Sequence, residues 1–129
     1  MRTRLFTLIC MAVLLAGCFP GGGTQRKIAG DFSLEQWEDG TTYYLHRRGH
    51  ADSSEGGSII GGTVLRIGWS NRYIVAQRHS IYRGDPDGWM IIDVQTGDIS
   101  GPFTDAQLQA RDDVRGIVTH PVAEAWRSL

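Results

Sequence analysis

Residues 63–69 (TVLRIGW), which place Leu65, Ile67 and Trp69 on one face, and 72–79 (RYIVAQRH) are two runs of β-branched, aliphatic and aromatic residues separated only by Ser70-Asn71. Runs of this length with a two-residue polar link read as an antiparallel hairpin. The pattern recurs on both sides of it. In residues 31–38 (DFSLEQWE), Phe32 and Leu34 alternate with Ser33 and Glu35. Asp39-Gly40 follows as a turn signal, and residues 41–47 (TTYYLHR) are rich in β-formers. After the turn cluster Asp85-Pro86-Asp87-Gly88, residues 89–94 (WMIIDV) read as a strongly apolar strand. Gln95-Thr96-Gly97-Asp98 turns this run into Ile99-Ser100, and Gly101-Pro102 is expected to end the β region.

Helical signals come only late. Thr104 with Gln107 three residues on matches a capping box, so a helix is expected over residues 105–113, burying Leu108 and Val114. Pro121 is positioned to open a second short helix with Val122, Trp126 and Leu129 on one side. Strands followed by helices argue for a mainly β or α+β fold. The expectation is an antiparallel five- or six-stranded sheet, strongly curved or sandwich-like, with one or two short C-terminal helices. Residues 49–62 (GHADSSEGGSIIGG) read as a long loop in which Ile59-Ile60 could form a short buried strand.

The first 18 residues carry a different signal. Arg2 and Arg4 precede an uncharged apolar run, residues 5–15 (LFTLICMAVLL), and Ala16-Gly17 supply small residues before Cys18. This order is that of a secretory signal, too short to span a bilayer as a helix, which needs about 20 apolar residues. Leu15-Ala16-Gly17-Cys18 resembles the lipobox of bacterial lipoproteins. The resemblance implies a diacylglyceryl group on the Cys18 thiol, cleavage between Gly17 and Cys18, and acylation of the new amino terminus. Phe19, rather than Asp, follows the cysteine. In a Gram-negative envelope that resemblance implies the outer membrane, with the domain facing the periplasm. The expected organisation is a signal peptide over residues 1–17, a lipidated tether over 18–30 without fixed structure, and one β-rich domain over 31–129. Residues 63–103 also resemble a class of small, uncharacterised β-rich bacterial lipoproteins, through VLRIGWSNRYIVAQRH and WMIIDVQTGDISGPFT. That likeness implies a compact β-domain and transfers no catalytic residue.

Processing would remove Cys10 and consume Cys18, leaving a domain without thiol nucleophile, disulfide or cysteine metal site. The net charge of −1 for the whole chain becomes more acidic when Arg2 and Arg4 leave. Such a surface excludes a nucleic-acid partner. His46 and His50 are four residues apart, but Arg47-Arg48 between them would repel a cation, and the stretch reads as strand and loop. His79 and His120 read as surface or capping residues. Asp85-Pro86-Asp87-Gly88 is too short for a calcium loop. There is no G-x-S-x-G and no P-loop. No metal or cofactor is expected.

Aromatic residues are the better binding candidates. Tyr43 and Tyr44 are neighbours on one expected strand and cannot both point inward, so at least one is exposed or packed under a loop, and Tyr44 is taken as the binding candidate. Tyr82 and Arg83 lie in the turn-rich loop. Tyr and Arg are frequent interface anchors. The function expected is a non-catalytic, membrane-anchored envelope module that binds an envelope protein or polymer, including an immunity or inhibitor protein. The alternatives are a small envelope hydrolase, which a His and a carboxylate converging beside aromatics would favour, and a structural lipoprotein without a discrete ligand.

Overall fold

The computed structural model describes residues 23–49 and 58–129. Along the chain run β1 (Thr24–Ala29), β2 (Phe32–Gln36), β3 (Tyr43–Arg47), β4 (Gly62–Trp69), β5 (Tyr73–Ser80), β6 (Gly88–Asp93), β7 (Ile99–Phe103), α1 (Asp105–Gln109), β8 (His120–Pro121) and α2 (Val122–Ser128). The fold is mainly β with two short helices, as the sequence indicates. Its strands divide into two antiparallel sheets, one of three strands in the order β1-β2-β3 and one of five in the order β7-β6-β5-β4-β8.

The two sheets bury facing sides in one core. Phe32, Leu34, Tyr43 and Leu45 come from the smaller sheet. Ile67, Ile74, Ala76, Met90 and Ile92 come from the larger, and Val122, Ala125 and Trp126 of α2 join them. The opposite face of the larger sheet holds a second core, in which Val75, Trp89 and Ile91 meet Leu108 and Val114. This explains the unbroken apolar run of β6. Met90 and Ile92 face one core while Trp89 and Ile91 face the other. The Trp89 indole donates to Asp105 Oδ1 at 2.6 Å and fastens α1 to that second face.

Some expectations need correction. The tether expected over 18–30 is ordered from residue 24, where β1 pairs with β2 through Arg26↔Leu34 and Lys27↔Ser33. The Gly-rich lead and the basic pair hide this strand locally. What stabilises it is remote: Arg26 lies 4.3 Å over the Trp126 ring and donates to the Trp126 carbonyl at 2.7 Å. Leu65 does not share the inner face of β4 with Ile67 and Trp69. The pairing shifts between Val64 and Arg66, and Leu65 is left 46% exposed at this bulge. Gly101-Pro102 lies inside β7 rather than ending the β region.

The capping box forms as expected, with Thr104 accepting from the Gln107 amide. The helix stops at Gln109 rather than at 113, and Val114 reaches the core from the turns that follow. Pro121 is the cap of α2, which buries Val122 and Trp126 while Leu129 stays 38% exposed. Ile60 is buried in the main core without forming a strand. The lipidation site Cys18 and the candidate ligand His50 fall outside the described residues.

Candidate functional site on the outer face of the small sheet

Strand alternation sorts the small sheet into an inner apolar face and an outer polar one. Two cross-strand rows make the outer face, Lys27–Ser33–His46 and Gln25–Glu35–Tyr44. Diagonal neighbours on one face of an antiparallel pair are within reach of long side chains. Glu35 and His46 are such neighbours, and the His46 Nε2 meets the Glu35 carboxylate. The same carboxylate accepts from the Gly23 amide at 3.3 Å and from the Gln25 side chain at 3.4 Å. Glu35 is 7% exposed and His46 8%, although both point away from the apolar core.

The next diagonal pair on this face is aromatic. Trp37 meets Tyr44 edge to face, with ring centroids 6.1 Å apart and planes at 90°. Trp37 is 42% exposed. Tyr43 is the inward ring of the two tyrosines, and Tyr44 lies on the outer face beside the Glu35–His46 pair. Ser33 lies directly opposite His46 in the strand pairing.

The other two candidates, Tyr82 and Arg83, sit elsewhere, in the exposed loop after β5. Their loop is organised by Arg78, a guanidinium 93% buried at the end of β5. Arg78 donates to the carbonyls of Ile60 at 2.9 Å and Pro86 at 2.6 Å, and no carboxylate pairs with it among the described residues. The Ser80 amide and His79 hold the Asp87 carboxyl below its ordinary value of 3.8. Tyr44 lies on one sheet and Tyr82 and Arg83 extend from the other, so the three do not form one site.

The other two described histidines, His79 and His120, sit at the surface. His79 pairs with Asp87 at 3.2 Å and His120 with Glu124 at 3.4 Å. Among the described residues no group of three or more His, Cys, Asp or Glu is arranged to hold a metal ion. Sequence reasoning weighed His46 only as a metal ligand and missed Glu35 as its partner, and it missed Arg78. A signal for the first two existed: the hairpin centred on Asp39-Gly40, with its two-residue period, puts 35 and 46 diagonally adjacent on the outer face. Arg78 was equally legible in parity, since it follows Ile74 and Ala76 on the core side of β5.

No curated protein and no solved structure matches the chain. Residues 29–120, from the last residue of β1 to the first of β8, match the family described as "Protein of unknown function (DUF3997)". Because that span exceeds half of the sequence, the chain belongs to this family.

Proposed function

We propose that the protein is a lipid-anchored envelope module that binds a protein or polymer partner and performs no chemistry of its own. The observation that carries this reading is Leu15-Ala16-Gly17-Cys18 behind a charged and then apolar leader. Two or more acyl chains hold a domain stably at a bilayer, whereas one holds it marginally. Anchoring concentrates the domain at the surface, so a modest intrinsic affinity suffices for a partner in the same envelope. The outer face around Trp37 and Tyr44 supplies aromatic anchors already fixed against one another. Cross-linking of the native protein in cells, followed by affinity capture, tests the reading, with Cys18→Ser as control. A partner recovered with the anchored protein and lost with Cys18→Ser supports it. Equal recovery from both argues that anchoring is irrelevant to binding.

A second reading, a small envelope hydrolase, is favoured by one observation. A carboxylate holds a histidine, with a serine directly across the strand pair. Glu35 would orient His46, and His46 would take the proton of Ser33 as it attacks a carbonyl. The burial of His46 counts against substrate access. A fluorophosphonate probe decides: labelling that disappears in Ser33→Ala supports this second reading, and no labelling removes it.

A further inference from the structure

We propose that the β2–β3 end of the small sheet, with Trp37 at its surface, rests on the zwitterionic phospholipid surface in which Cys18 is anchored. The inference depends on the lipidation reading above and adds to it an orientation and a contact.

The first argument is reach. Thr24 begins β1, five residues intervene between it and Cys18, and a fully extended chain spans at most about 3.6 Å per residue. The start of β1 is therefore held within about 22 Å of the lipidated residue whatever path the intervening chain takes.

The second argument is direction. β1 runs antiparallel to β2, and Thr24 pairs with Gln36, which pairs in turn with Tyr43. The anchored end of β1 thus coincides with the end of the sheet where residues 37–42 connect β2 to β3. The opposite end, where Ala29 pairs with Phe32 and Phe32 with Arg47, lies a strand length away, about 13–17 Å at 3.3 Å per residue.

The third argument is chemistry. Trp37 is exposed at the anchored end, and its ring is already held edge-on against Tyr44. Tryptophan suits the headgroup level of a bilayer because its ring is apolar and its N–H is polar. A ring fixed in advance loses little rotamer freedom on contact. The exposed charges of the connection are acidic: Glu38, and Asp39, whose carboxylate accepts from the amides of Thr41 and Thr42. Acidic groups beside an exposed indole fit a zwitterionic headgroup layer better than an anionic one.

The test uses the full lipidated protein in phosphatidylethanolamine/phosphatidylcholine vesicles containing nitroxide-labelled lipid. Glu38→Cys is exposed and, with Cys18 carrying lipid and Cys10 removed, supplies the single reactive thiol for a fluorophore. Gln95→Cys is the control, since Gly97 of its turn packs against the Arg47 guanidinium at the far end of β3. The expected result is quenching several-fold stronger at 38 than at 95, weakened when Trp37→Ser is added. Co-sedimentation with vesicles but equal quenching at the two positions, or stronger quenching at 95, overturns the proposal and leaves anchoring intact. Absence of lipid on Cys18, read by mass spectrometry, overturns both.

Discussion

His46 and Glu35 meet across two strands on the side of the small sheet that faces away from the apolar core, and both are more than nine-tenths buried. A polar pair removed from water depends on its partners, because losing one leaves the other desolvated without return. Glu35→Ala is therefore expected to destabilise the domain by about 1–3 kcal/mol. The Glu35→Ala/His46→Ala double variant should cost less than the sum of the two single changes. Urea denaturation of the four proteins measures the difference, and strict additivity would show that the pair has no energetic coupling.

The apolar wall between the sheets gives a larger effect. Ile92 of β6 is fully buried in the core that the two sheets share. Truncation to alanine should cost about 2–5 kcal/mol, with the unfolding slope unchanged. A cost below about 1 kcal/mol would mean that the core is loosely packed there.

Gly68 offers a purely steric test. A methyl group added there would lie 2.2 Å from the Val118 carbonyl oxygen, where residues 117–118 run close against β4. Gly68→Ala should destabilise by about 1–3 kcal/mol. The adjacent exposed site gives the contrast: Leu65→Thr, at the bulge, should stay within about 0.5 kcal/mol of the parent. Thermal unfolding of the two variants side by side checks the pair.

Acid should weaken the fold through four carboxylates. The Thr42 hydroxyl lowers Asp39, the Ser80 amide lowers Asp87, the Arg72 guanidinium lowers Asp93 and the Arg111 guanidinium lowers Asp113, each from an ordinary 3.8. A carboxyl more acidic in the folded chain than in the unfolded one stabilises the fold while ionised. Its contribution is complete above the ordinary value and disappears as pH falls through the lowered one. The urea midpoint should thus fall from about pH 4 downward, and Asp93→Asn should make that fall shallower. A midpoint equally steep in Asp93→Asn would mean that its link to Arg72 does not survive in solution.

Short-range signals carried much of this fold. Asp39-Gly40 and Ser70-Asn71 are turn chemistry, and each forms a hairpin because flanking alternation agrees with it. The Thr104 box works for the same reason: both of its partners are three residues apart. The failures are long-range. Nothing near Thr24–Ala29 announces a strand, since its partners are β2 and a tryptophan a hundred residues away. The phase of β4 cannot be counted through Leu65, because the bulge exists only relative to β5. For the candidate site, parity showed that Tyr43 and Tyr44 could not both point inward, and only the packing of the core makes Tyr43 the buried one. The Glu35–His46 pair needed parity and register together, and Arg78 needed the conclusion that a cation can follow two core residues when loop carbonyls receive it.

β5 sends Ile74 and Ala76 into one core and Val75 into the other while pairing with β4 on one edge and β6 on the other. No opening that leaves either core intact can expose its main chain to solvent. Its amide protons should therefore exchange with deuterium only when the entire domain unfolds, so that the slowest of them report the global free energy of folding. By the same logic, a ligand that binds anywhere on the native domain and not on the unfolded chain would slow these amides, so that β5 can report binding without touching the ligand.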